Sequence, residues 1–229
     1  MPDPHRIKRE LEEILSRPHY SNLFYRRNQF RKPGSSPESP ATVATGISAY
    51  LAASHALLDP VFVEEWRGPV QLYRVHDGRS GKYQDPINPS KSRYTAGTLG
   101  ACWVERSVVD SMWTAAASTA DPRKMFLEFM RSGNFVLPEW NHMTAICRLA
   151  IPAGGFVVVV RGKGNWQAML TPAGGNRPDG KTAISNSGDV MTHLRMMPIP
   201  GTPQCVVPLV DDMLVENIPT NSGSYPFAP

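Results

Sequence analysis

Apolar residues recur at helical spacing at the start of the chain. Ile7, Leu11, Ile14 and Leu15 share one face of residues 4–16, which predicts an amphipathic helix ended by Pro18. The run VATGISAYLAASHALL, rich in Ala and Leu, predicts a second helix over residues 43–58, stopped by Asp59-Pro60, with VFVEEW as a short extension. The period then changes. Val70-Gln71-Leu72-Tyr73-Arg74-Val75 reads as a strand with Leu72 and Arg74 on one face and Tyr73 and Val75 on the other. Residues 94–104 form a Gly/Thr-rich turn and short strand, and residues 105–117 a helix with Val108, Val109, Met112 and Trp113 inward. Asp121-Pro122 opens another helix, stopped by Gly133. Residues 144–151 and 155–161 read as strands separated by Pro-Ala-Gly-Gly. The consecutive valines from Val157 to Val160 predict a strand buried on both faces in the middle of a sheet. Residues 165–171 read as another strand, TAISNS and VMTHLRMM as further ones, and VVPLVDDMLVENI as a final strand with Pro208 at an edge or a break. The fold class expected is α+β, an N-terminal helical arm followed by a mixed or antiparallel sheet.

The segments between these elements set the expected domain plan. PGSSPESPAT, residues 33–42, has linker composition. We read residues 1–42 as a basic helical arm and linker, 43–219 as the main domain and 220–229 as a flexible tail. Residues 79–93 are polar and Pro-containing, a loop long enough to be functional or mobile. With 22 Pro and 18 Gly in 229 residues, the composition favours many short elements joined by turns.

Charge and cysteine content narrow the picture further. The net charge of +4 is concentrated in residues 5–32, where Arg6, Lys8, Arg9, Arg17, Arg26, Arg27, Arg31 and Lys32 face only Glu10, Glu12 and Glu13. Such an end can dock on an acidic partner, an anionic surface or nucleic acid. Tyr20, Phe24, Tyr25 and Phe30, interleaved with arginines, can stack on bases or pack the arm onto the domain. No apolar run approaches the roughly 20 residues of a membrane-spanning helix, and MPDPHRIKRELEEIL lacks the apolar core of a classical secretory signal. Cys102, Cys147 and Cys205 are far apart, with no CxxC and no Cys/His cluster of zinc spacing. Free buried thiols in a reducing compartment are expected, cytoplasmic or in the cytoplasm of a target cell after delivery, with no metal.

Tyr73-Arg74-Val75, then Gly97-Thr98-Leu99-Gly100-Ala101-Cys102-Trp103 with its helix, then the strands of 145–172 follow one another in an order that resembles the mono-ADP-ribosyltransferase fold of bacterial toxins and effectors. The resemblance spans residues 65–215 and rests on element order and short motifs. It implies a sheet split around an NAD-sized cleft. It implies that Arg74 holds the NAD phosphates and ribose, a task suited to a permanently charged fork of donors. It further implies that Thr95, Thr98 and Trp103 line the nicotinamide pocket and that Tyr94 stacks on the nicotinamide; the family's Ser-Thr-Ser triplet is absent.

In the resembling family, a Glu-x-Glu strand followed by apolar residues and often Pro supplies two acids. The second hydrogen-bonds the ribose and stabilises the oxocarbenium-like charge as nicotinamide leaves. The matching segment here is Asn165-Trp166-Gln167-Ala168-Met169-Leu170-Thr171-Pro172, with Trp166 and Ala168 at the acid positions. Gln167 can hydrogen-bond a ribose but carries no charge. Three explanations stay open: Ala168 replaces a glutamate, the chain binds NAD without turning it over, or the acid lies elsewhere. Glu216 in Leu214-Val215-Glu216-Asn217-Ile218 is the first alternative, followed by Glu105, Glu139, Asp189 and Asp211-Asp212. The function expected is an NAD-dependent transferase-like toxin or effector acting on a macromolecular acceptor, protein or nucleic acid. The alternatives are a non-catalytic partner-binding module and a basic nucleic-acid-associated protein.

Overall fold

The computed structural model describes residues 2–20, 39–54, 57–76, 102–134, 145–164, 202–208 and 215–218. Helix α1 is Pro4–Leu15, followed by a short 3-10 turn, Pro18–Tyr20, and α2 is Pro40–Ser54. Strands β1, Leu57–Arg67, and β2, Val70–His76, come next. Strand β3, Cys102–Glu105, runs directly into α3, Arg106–Ala117, and α4 follows at Pro122–Asn134. Strands β4, Ala145–Ile151, β5, Phe156–Gly164, β6, Pro203–Val206, and β7, Val215–Ile218, complete the described elements.

The seven strands form one antiparallel sheet in the order β1-β5-β6-β3-β2-β4-β7. The four residues of β3 are shared between two neighbours. Cys102 and Trp103 pair with Val206 and Cys205 of β6, while Val104 and Glu105 pair with Tyr73 and Leu72 of β2. The sheet therefore divides at β3 into a β1-β5-β6 half and a β2-β4-β7 half. Two tight connections, β1 to β2 and β4 to β5, each cross from one half to the other. They touch where the Gly68 amide donates to the Gly155 carbonyl at 2.9 Å. A side chain at Gly68 would run into the Pro152 carbonyl, so this crossing requires glycine.

Alternation along the strands then builds three buried layers. Leu72, Trp103, Cys147, Leu149 and Ile151 meet Val157, Val159, Cys205 and Val207 between the two halves. Val158, Val160, Val61 and Val206 turn outward under α1 and α2, where they meet Ile7, Leu11, Ile14, Leu15, Val43, Ile47 and Leu51. Tyr73, Val75, Val104 and Ile146 turn outward under α3 and α4, against Val108, Val109, Met112, Phe126 and Met130. Each half of the sheet is thus covered by helices outside and by its partner half inside. The four valines of β5 are hydrophobic in succession because both of its faces are buried, at 0–3% exposure.

Local chemistry accounts for the helix starts. The Asp3 side chain accepts a 2.9 Å bond from the His5 amide at the N-cap of α1, and Pro4 begins the helix without a missing donor. The apolar stripe of α1 is buried in the same core as α2, so residues 4–15 are an integral layer of the described fold.

The structure corrects several sequence expectations. The helix expected over 43–58 starts earlier, at Pro40 inside the linker-like stretch, and ends at Ser54. Leu57 and Leu58 instead open β1, paired with Gly164 and Lys163. Pro60 is tolerated there because β1 is an edge strand and its register shifts between Leu58 and Phe62. Helix α4 runs through Gly133 to Asn134, because the missing side chain lets it approach Met112 of α3. The single final strand is two, β6 and β7, which lie in different halves of the sheet, β6 between β5 and β3 and β7 at the edge beyond β4. The strands expected over 165–171, TAISNS and VMTHLRMM lie outside the described residues.

Candidate functional site

The faces of β2 and β3 that look into the space between the two half-sheets carry the sequence-predicted Arg74 and Trp103. Glu105 sits directly opposite Leu72 and Val104 opposite Tyr73, so Leu72, Arg74, Trp103 and Glu105 fall on one face. The Arg74 Nη1 donates to the Cys102 carbonyl, which fixes the guanidinium against the first residue of β3. Its Nε is buried and has no hydrogen-bond partner among the described residues. Trp103 is 1% exposed, and its Nε1 is likewise buried without a partner among the described residues. Trp103 therefore serves as the floor of this face rather than as an open ring.

Glu105 ends β3 and occupies the N-cap of α3, yet its side chain makes no capping hydrogen bond. It stays half-buried. Across the interior, β1 and β5 contribute a second charged group. Arg161 donates to Glu64 through Nη2 at 3.0 Å and Nε at 3.3 Å, and the Trp66 Nε1 donates to the same carboxylate at 2.6 Å. The Arg161 bond, with help from Trp66, holds the Glu64 carboxyl below the usual carboxylate range against the opposing effect of burial. Arg161 is raised in turn, first by its bond to Glu64 and also by the charges of Glu64 and Glu105. Its guanidinium lies 5.4 Å from the centre of the Phe62 ring, which is 44% exposed at the edge of β1.

Two thiols line the same interior. Burial pushes Cys147 up to about 12, against a smaller opposing effect of Arg74, and pushes Cys205 up as well. Both are protonated at neutral pH, so neither is a ready nucleophile. An open groove on the outer side of α1, lined by His5, Lys8, Arg9, Glu12, Glu13 and Ser16, is separated from this site by the α1–α2 core layer.

The structure brings Arg74 and Trp103 together and leaves Glu216 apart from them. Glu216 is in register with Arg148 of β4, whereas Arg74 is in register with Cys147, the neighbouring position. Successive positions of a strand alternate between faces, so the Glu216 and Arg74 positions belong to opposite faces of the sheet. Tyr94, Thr95, Thr98, Gln167 and Ala168 lie outside the described residues. Sequence reasoning missed Glu64 and Arg161. Arg161 keeps the parity of Val157 and Val159, and Glu64 that of Trp66, a signal readable only once residues 57–67 are known to be a strand.

No protein-family model, curated protein or solved structure matches the chain. The coarse class is α+β with an antiparallel sheet, and no described helix is long and apolar enough to cross a membrane.

Proposed function

We propose that this chain binds NAD beside the packed core, where Arg74 and the half-buried Glu105 border it, and is an ADP-ribosyltransferase-type toxin or effector with a macromolecular acceptor. The observation that carries the reading is Arg74. It lies on the inward face of β2, is braced by the Cys102 carbonyl, and keeps its Nε without a partner among the described residues. A guanidinium pre-ordered by one bond, with donors left over, suits a diphosphate. Its neighbours Trp103 and Glu105 offer an aromatic floor and a carboxylate on the same face.

Titration of the full chain with NAD in a calorimeter tests the proposal. Saturable binding is expected, weakened in Arg74→Ala by more than about tenfold, the equivalent of roughly 1.4 kcal/mol. Arg74→Lys recovers only part of the affinity, because an ammonium lacks the planar fork. Absence of NAD binding to the unsubstituted chain overturns the reading.

A further inference from the structure

We propose that the outer face of α1 is a self-docking surface. Two copies of this chain pair through it, their α1 helices antiparallel about a two-fold axis that passes between Glu10 and Leu11. This face is separate from the Arg74 site, and the inference stands or falls without the NAD reading.

The groove along the outer side of α1 is lined by His5, Lys8, Arg9, Glu12, Glu13 and Ser16. Lys8 and Glu12 are half-buried, and the other four are exposed. His5, Arg9, Glu12 and Ser16 follow one another at the spacings that keep residues on one line along a helix, with Lys8 and Glu13 flanking that line on either side. These six positions are symmetric about the point between Glu10 and Leu11. His5 lies as far before it as Ser16 lies after it, and the same holds for Lys8 with Glu13 and for Arg9 with Glu12. A two-fold rotation at that point sets Lys8 and Arg9 of one copy level with Glu13 and Glu12 of the second copy. The isologous contact then repeats the match in the other direction. A parallel pairing in register would set cation on cation.

Three further observations favour a second copy as the occupant. First, the charges run against the helix dipole: the acids Glu12 and Glu13 stand in the last turn, with no acid in the first turn and no base in the last. A lone helix gains nothing from that order. In an antiparallel pair, each acidic C-terminal half is met by the basic half of the other copy. Second, Lys8, Arg9, Glu12 and Glu13 form no ion pair with another described residue. On the same helix, Arg6 is bound to Glu10 at 2.9 Å and donates to the Val61 carbonyl. Third, two cations stand against two anions, so the stripe carries no excess charge for nucleic acid or for an acidic partner. Exposed ion pairs are individually weak. The 12 residues of α1 make a helix only about 18 Å long, so the dimer is weak and salt-sensitive.

Sedimentation velocity of the full chain over rising concentration, at about 0.02 M and about 0.5 M salt, tests the proposal. The expected result is a monomer–dimer equilibrium with a Kd below about 0.3 mM at low salt, weakened at least about tenfold at high salt. Two double variants, Lys8→Glu with Arg9→Glu and Glu12→Lys with Glu13→Lys, are each expected to lose more than about tenfold in self-association, because like charges then meet. An equimolar mixture of the two restores the dimer, since each presents the charge that the other lacks. A role of these residues within one chain produces no such rescue. Thermal midpoints check that the variants fold. Should a reversal unfold the chain, Lys8→Gln with Arg9→Gln adds no repulsion, takes its place and is expected to weaken the dimer severalfold. An unsubstituted chain that stays monomeric up to about 0.3 mM at low salt overturns the proposal. So does a dimer that no charge change on α1 weakens, which would use another face, and so does a mixture of the two reversals that fails to associate.

Discussion

The Glu64 carboxylate receives bonds from Arg161 and Trp66 while remaining 31% exposed, and Arg161 is 38% exposed. That exposure decides its energetic weight. Solvent screens the pair, so it stabilises the fold by no more than about 1 kcal/mol. Its pH dependence follows from the lowered carboxyl pKa. The contribution is complete above the ordinary glutamate value of about 4.3 and is lost as pH falls through the lower folded value. Glu64→Gln is therefore expected to be less stable than the unsubstituted chain at pH 7 and nearly equal to it at pH 3. Urea midpoints at the two pH values measure this, and an identical gap at both contradicts it. Glu65, one residue along, faces the other way. Its carboxylate meets the His19 Nε2 at 2.9 Å and Arg17 at 3.2 Å, pinning the turn after α1 to β1. Burial pushes Glu65 up, but His19 and Arg17 outweigh it and hold it low.

At the scale of elements, α1 shows how a polar, basic segment becomes structural. Its outer face carries Lys8, Arg9 and Glu13, and its inner stripe is buried against α2, β1 and β5. Leu11 is fully buried in that stripe. Leu11→Ala is expected to cost about 2–5 kcal/mol by lost transfer energy and the cavity left behind. Denaturant titration reads this directly, and a loss below about 1 kcal/mol would mean that α1 does not bear on the core. The basic charge of residues 5–17 is compatible with this role because long cationic side chains leave the surface while their helix buries the opposite face.

Among the described strands, the two half-sheets are joined by the core between them, by β3 and by the two tight crossings. Cys147 and Cys205 lie in that core at 0% exposure, while Cys102 is half-buried with its sulfur 3.4 Å from the Tyr50 hydroxyl. Their labelling thus reports on global opening. In native buffer at pH 8, a thiol reagent is expected to modify Cys102 first. Cys147 and Cys205 should follow together, at the rate of whole-molecule unfolding, and all three should react at once in denaturant. Mass spectrometry with time resolves the order. Early modification of Cys205 without Cys147 would show that the β1-β5-β6 half opens by itself.

The sequence by itself determined the amphipathic face of α1, the alternation of β2, the doubly buried β5 and the helices α3 and α4. Each of these is written in local periodicity, and burial rewards that periodicity whatever the neighbours are. The alternation of β2 also put Arg74 on the face of Leu72, and the tertiary structure turned that face inward. Only the tertiary structure decided that residues 57–67 are a strand, because Leu57-Leu58 and the Pro60 break are stabilised by pairing with β5, about a hundred residues away. It likewise decided that Glu216 and Arg74 occupy opposite faces, that Glu64 and Arg161 meet across 97 residues, and that Glu105 shares a face with Arg74 and Trp103. The physical reason is register. A shift of one residue in pairing moves every side chain to the other face of a sheet, and pairing between distant strands leaves no trace in the local pattern.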